Sequence, residues 1–80
     1  MFLFNGPVDA GLTILLAHGA GGPMDSASMT GISNAIAAAG MRVARFEFAY
    51  MASRRHSEDR KPPPRAETLR SEYVAAVDAL

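Results

Sequence analysis

Short apolar runs and helical repeats alternate along this chain. The clearest apolar run is residues 12–17, Leu-Thr-Ile-Leu-Leu-Ala, which stops at His18 and is followed by Gly-Ala-Gly-Gly. Six apolar or β-branched residues are too few for a buried helix, and Thr and Ile favour extended backbone. The run therefore predicts a strand that is buried on both faces, as strands of a parallel sheet are.

The pattern on either side of this strand predicts a strand, a helix and another strand. Residues 2–4 are apolar and end in the turn sequence Asn-Gly-Pro, which predicts a short first strand. After the glycines, Asp25 or Ser26 can begin a helix, and Gly40 can end it. The apolar face of this helix has helical spacing and consists of Met29, Ile32, Ile36 and Ala39. Residues 42–48 predict a third strand, so strand, helix and strand form a right-handed parallel crossover.

The last third of the chain divides into a loop and a helix. Residues 50–65 are rich in charge, end in three prolines and show no hydrophobic period, which predicts a loop. A helix is predicted from about Pro64, with a buried face at steps of four, four and three, at Leu69, Tyr73, Val77 and Leu80. The predicted fold is a single α/β domain over residues 1–80, with parallel strands and crossover helices in the order β-β-α-β-α.

Composition narrows the classes of function. The chain of 80 residues has no cysteine and two histidines, so we expect no disulfide, no metal site and no cofactor. Its apolar runs are far shorter than the roughly 20 residues of a membrane span, and no Lys or Arg precedes the first apolar residues as in a signal peptide. The formal net charge is zero, which argues against a nucleic-acid partner. A cytoplasmic protein with no membrane partner is expected.

The glycine-rich segment after the second strand predicts an anion-binding loop. Glycine permits positive φ and close approach, and unpaired N–H groups at the start of a helix favour negative charge. One interpretation is a dinucleotide fingerprint, with Gly19 and Gly21 opening Gly-x-Gly-x-x-Gly and Glu47 binding a ribose, although Met24 occupies the third glycine position. The other is an oxyanion hole, in which backbone donors stabilise a carbonyl oxygen that becomes negative.

Charged residues near this loop have two interpretations each. Arg45 and Glu47 lie two apart on one face of a strand, which predicts a mutual or nearby ion pair, with a role for Glu47 near a site as the alternative. Arg54, Arg55 and His56 lie in the predicted loop at the carboxyl edge of the sheet. They either contact an anionic group of a substrate or form a solvated charged surface.

His18-Gly19-Ala20-Gly21-Gly22 resembles the loop after the third strand of α/β-hydrolases, where a backbone N–H completes the oxyanion hole. The resemblance extends to a bacterial branch that is close to dienelactone hydrolases and to the hydrolase-like domain of the NSL-complex-subunit and testis-expressed proteins. The stretches that carry it are residues 15–21, 23–26, 45–48, 50–52 and 61–67.

This resemblance implies roles for the residues of the loop. Ala20 and Gly21 would supply the oxyanion-side amides, and His18, Gly19 and Gly22 would order the loop. The catalytic histidine comes last in chains of this family, so His18 is not expected to be the general base. Arg54 and Arg55 remain candidates for contact with the substrate.

The resemblance also implies an incomplete site. In the family the nucleophile lies on a Gly-x-Ser-x-Gly elbow after the strand that follows the last helix seen here. The partial match at residues 31–35, Gly-Ile-Ser-Asn-Ala, falls inside a predicted helix. We therefore expect no catalytic residue in this chain, which would be the N-terminal portion of a three-layer sandwich that is incomplete at its C-terminus.

Two classes of function follow from this reasoning. The first is a serine hydrolase that acts on a small ester-like substrate and takes its oxyanion-hole loop from this chain. The second is a non-catalytic interaction module that keeps the α/β scaffold. In either case an uncovered sheet edge is expected, and it would permit self-association.

Overall fold

A computed structural model describes residues 2–19, 21–57 and 62–80 of the chain. Within these ranges the chain forms three strands and three helices. They are β1 (Phe2–Asn5), β2 (Thr13–Ala17), α1 (Ala27–Ala38), β3 (Arg42–Phe46), α2 (Ala49–Ser53) and α3 (Ala66–Ala79).

The sheet is mixed and has the strand order β1-β3-β2. Strands β2 and β3 are parallel, with Thr13 opposite Arg42, and the Arg42 N–H donates to the Leu12 carbonyl at 3.0 Å. The predicted parallel crossover from β2 through α1 to β3 is therefore confirmed. Strand β1 pairs with β3 in the antiparallel direction, with Phe2 opposite Phe46, so the expectation of parallel strands holds for only one of the two pairs.

The central strand β3 carries the core because it has a neighbour on each side. Val43 and Ala44 are 0% exposed, and Phe46 is 6% exposed. Strand β2 has a neighbour on one side only, and residues 14–17 are half-buried rather than buried. The expectation that β2 is buried on both faces is wrong for this reason.

Helix α1 covers the face of the sheet that carries Arg45. Its N-cap is Ser26, whose Oγ accepts the Met29 N–H at 3.3 Å, so Asp25, the other candidate, does not cap it. The buried positions of α1 are Met29 and Ser33, whereas Ile32 is 50% exposed and departs from the predicted apolar face. Gly40 has φ of +92° directly after the helix, as predicted for its C-terminal stop.

The segment after β3 departs from the sequence prediction. Residues 49–53 form α2 rather than a loop, and the first N–H of this helix, that of Ala49, donates to Glu72 Oε1 of α3 at 2.7 Å. Phe48, the residue before the helix, makes no side-chain capping bond. The Glu72 carboxylate, from a helix that is distant in sequence, therefore caps the start of α2.

Helix α3 lies on the opposite face of the sheet from α1 and is loosely held. Its Tyr73 ring packs against Phe46, with ring centroids 5.7 Å apart, and the Tyr73 hydroxyl donates to the Leu15 carbonyl at 3.0 Å. No residue of α3 is buried, and Val77 and Leu80 are about half exposed, so the predicted buried face is wrong. None of the helices in the described ranges is long and apolar enough to cross a membrane.

Candidate functional site

The glycine loop, residues 18–22, leads from the carboxyl end of β2 toward the amino end of α1. Its residues Gly19 and Gly21 are exposed. Their N–H groups make no hydrogen bond within the described part of the chain. Ala20, one of the two predicted oxyanion donors, lies outside the described residues. The other predicted donor, Gly21, is therefore an exposed residue at the carboxyl edge of the sheet whose N–H has no partner among the described residues.

Close approach, not positive φ, explains one glycine of this loop, Gly22. Gly19 and Gly22 do not have positive φ, so that expectation is wrong. A Cβ on Gly22 would lie 3.3 Å from the Cβ of Ser26, which is tighter than ordinary contact. A Cβ on Gly19 or Gly21 would meet no atom within 4 Å. Gly22 thus lets the loop pack on the start of α1, while Gly19 and Gly21 face open space.

His18 joins the first end of the glycine loop to the segment after β3. The Phe48 N–H donates to His18 Nε2 at 3.1 Å, and His18 Nδ1 lies 2.7 Å from the Gly19 carbonyl oxygen. Because a backbone N–H can only donate, Nε2 is the unprotonated nitrogen and Nδ1–H donates to Gly19. The ring is 6% exposed and packs edge-on against Phe48. The lone pair that a general base needs is already occupied.

The second end of the glycine loop is held through the backbone of Met24. The Met24 N–H donates to Glu47 Oε2 at 3.0 Å, and Arg45 Nη1 donates to the Met24 carbonyl at 3.1 Å and to Thr30 Oγ1 at 3.0 Å. The Met24 side chain is itself 6% exposed. Arg45 of β3 thus binds the carbonyl of Met24, and Glu47, which follows β3, binds its N–H. Glu47 forms its ion pair with Arg55 instead of Arg45.

Asp25, Glu47 and Arg55 form an ion-pair cluster over Met24. Arg55 Nε donates to Glu47 Oε1 at 2.8 Å, and Arg55 Nη2 contacts Glu47 Oε2 and lies 2.8 Å from Asp25 Oδ1. The Glu47 side chain is 6% exposed, whereas those of Arg55 and Asp25 are 39% and 49% exposed. Donation by Arg55 lowers the pKa of both carboxyl groups below their ordinary values. Glu47 is therefore a buried carboxylate that stays ionised.

Arg54, Arg55 and Glu47, which the sequence suggested as candidate site residues, all have partners within the protein. Arg55 already binds two carboxylates, and the Arg54 guanidinium lies over the Tyr50 ring, 5.3 Å from its centroid. Contact of Arg54 or Arg55 with a substrate stays a prediction. Both carboxylate oxygens of Glu47 accept hydrogen bonds from the protein, which leaves this residue poorly placed to bind a ribose. No group of three His, Asp or Glu side chains in the described ranges could hold a metal ion.

Two of the cavities near the carboxyl edge of the sheet bear on ligand binding. One, of about 350 Å³, borders the ion-pair cluster and is also lined by Leu3 and Ala52. The other, of about 400 Å³, is lined by Gly19, Gly21, Ser28 and neighbouring residues of β2 and α1. The charged groups of the first cavity are paired with each other, whereas the second includes the exposed glycines. The second cavity is the better candidate for ligand binding at this edge.

Sequence reasoning did not identify Met24 and Phe48 as partners of this site. One signal was available, because a parallel crossover brings the carboxyl ends of β2 and β3 to the same edge of a sheet. The segments that follow the two strands are therefore neighbours, and the opposite charges of Asp25 and Arg55 fit such a contact. The contacts of Met24 and Phe48 are made by backbone groups, so their residue types do not indicate them.

Comparison with known proteins identifies the family. A family model described as an alpha/beta hydrolase domain matches residues 10–80, which is most of the chain. No curated protein and no solved structure matches the chain. The match covers β2, α1, β3, α2 and α3 together with the glycine loop. The chain therefore belongs to the α/β-hydrolase domain family.

Proposed function

We propose that this chain supplies the oxyanion-hole loop of a serine hydrolase that cleaves ester or related acyl bonds. In this proposal the amides of Ala20 and Gly21 are the donors, and the attacking serine lies outside residues 1–80. Membership of the α/β-hydrolase family supports the reaction class. The single observation that carries the proposal is that Gly21 is exposed at the carboxyl edge of the sheet and that its N–H has no hydrogen-bond partner among the described residues.

The arrangement suits stabilisation of developing negative charge. An oxyanion hole needs donors that are fixed before the reaction, because reorienting them during the reaction would cost free energy. The ends of the glycine loop are fixed by hydrogen bonds from Phe48 to His18 and from Met24 to Glu47. The donors between these two points can therefore stay in place while a carbonyl oxygen becomes an oxyanion.

The substrate is proposed to be a small neutral ester-like molecule. The cavity of about 400 Å³ beside the glycine loop is lined by the apolar residues Leu16, Met29 and Ile32 and by two serines, Ser26 and Ser28. Apolar walls with few polar groups are typical of small-molecule sites. None of the described residues that line this cavity is charged, which favours an uncharged acyl group.

Labelling with a fluorophosphonate probe tests this function. Such probes react with activated serines, so the natural protein that contains this chain should be labelled on a serine outside residues 1–80. Peptide mapping identifies the labelled residue, and heat-denatured protein is the control for non-specific reaction. A label on Ser33 or any other serine of residues 1–80 would contradict the proposed division of the site. Absence of labelling would favour the alternative, a non-catalytic interaction module.

A further inference from the structure

We propose that Glu47 is a positioning residue of the glycine loop, acting through the backbone of Met24. This inference rests on the proposed function, because the loop matters to catalysis only if its amides bind an oxyanion. Glu47 makes no contact with the cavity beside the glycines, and its effect on a reaction would pass through the loop it holds.

The first support is that both ends of the loop are tied to consecutive residues. Phe48 donates to His18 at 3.1 Å, and Glu47 accepts from Met24 at 3.0 Å. These two residues directly follow β3, the most buried strand of the sheet. The exposed glycines between His18 and Met24 therefore span a short gap between two points fixed on the core.

The second support is the way in which Met24 is held. Its N–H meets the Glu47 carboxylate, its carbonyl meets the Arg45 guanidinium, and its side chain is buried. Arg45 is 7% exposed and forms no ion pair among the described residues, so neutral oxygens of Met24 and Thr30 take its hydrogen bonds. Removal of the Glu47 bond would leave the N–H of Met24 without this acceptor, so that only its carbonyl would keep a hydrogen bond to a charged side chain.

The third support is that Glu47 is itself fixed. Arg55 binds both of its oxygens and also binds Asp25, the residue after Met24. A carboxylate bound by a guanidinium in two places has a defined orientation. The position of the Met24 N–H, and with it the second end of the glycine loop, thus depends on the reach of the Glu47 side chain.

Two conservative variants of Glu47 separate the effect of its side-chain length, which lets it reach the Met24 N–H, from the effect of its negative charge. Glu47→Asp keeps the charge for Arg55 but withdraws the carboxylate from Met24 by one methylene. Glu47→Gln keeps the reach and one oxygen acceptor but loses the charge. If Glu47 positions the loop by its reach, kcat should fall about 10- to 100-fold in Glu47→Asp with KM nearly unchanged, as expected for misplaced catalytic donors. Glu47→Gln should lose less of kcat than Glu47→Asp, although Arg55 holds the amide less firmly than the carboxylate.

The measurement is the hydrolysis of p-nitrophenyl acetate by the natural protein that contains this chain. Glu67→Asp and Glu67→Gln are matched controls, because Glu67 is exposed in the first turn of α3. Melting temperatures of all variants identify any loss of fold. A Glu47→Asp protein with unchanged kcat, or with a change in KM alone, would overturn the inference. So would a greater loss of kcat in Glu47→Gln, because charge rather than reach would then decide.

Failure of the proposed function has a different outcome. If the unaltered protein neither hydrolyses the ester nor reacts with a fluorophosphonate, the oxyanion proposal fails and the positioning role fails with it. If the unaltered protein is active and Glu47→Asp is equally active, only the positioning role fails.

Discussion

At the scale of single residues, His18 is placed to hold backbone groups in position rather than to act as a general base. Its two ring nitrogens are both occupied, one by the Phe48 N–H and one by the Gly19 carbonyl. The ring is buried against Phe48 and Tyr50. We therefore expect substitution of His18 to reduce the stability of the fold.

We predict that His18→Ala lowers the free energy of unfolding by about 1–3 kcal/mol, because it leaves the Phe48 N–H buried without an acceptor. Denaturant unfolding of the natural protein that contains this chain measures the change. His56→Ala is the matched control, since His56 is exposed, and it should change the free energy by less than about 0.5 kcal/mol. Equal effects of the two substitutions would show that the hydrogen bond from Phe48 is unimportant.

At the scale of elements, β2 is an edge strand of the described sheet, and its sequence contains none of the residues that prevent edge-to-edge pairing. The Arg42 N–H donates to Leu12, so in this parallel ladder Thr13, Leu15 and Ala17 direct their backbone groups away from β3. The Tyr73 hydroxyl donates a hydrogen bond to one of these groups, the Leu15 carbonyl. None of the residues of β2 is charged. Unprotected edges pair with other strands, and lysine on an edge strand is a common defence.

We predict that the isolated chain of residues 1–80 self-associates and that Thr13→Lys weakens this association. The expected shift in the midpoint concentration is about tenfold, which corresponds to about 1.4 kcal/mol. Sedimentation velocity over a range of concentrations measures it. Thr68→Lys places the same charge on the exposed surface of α3 and should have no effect. A monomeric chain with a sharp, cooperative melt would contradict the prediction.

At the scale of the whole molecule, local signals were sufficient to predict the crossover from β2 through α1 to β3. The apolar run of residues 12–17 and the strand signal of residues 42–48 identified its strands, and Gly40 marked the end of its helix. These features depend on neighbours in the sequence. The glycine loop could be placed for the same reason, because it directly follows a strand and precedes a helix.

Features that depend on distant partners could not be predicted in this way. Helix α2 is held at its first N–H by Glu72, and the direction of β1 depends on β3. The period of α3 shows which face is apolar but not whether another element covers it, and Val77 remains about half exposed. The contacts of Met24 and Phe48 are made by backbone groups, which every sequence contains.

The proposed oxyanion hole depends on the amide of Gly21 as a donor. Gly21→Pro removes this N–H, while Gly21→Ala keeps it and adds a Cβ that meets no atom within 4 Å. The decisive measurement is therefore kcat of both variants for p-nitrophenyl acetate in the natural protein that contains this chain. The account predicts a loss of about 10²–10³-fold in Gly21→Pro and nearly unchanged kcat in Gly21→Ala. Full activity of the proline variant, or an equal loss in the alanine variant, would contradict it.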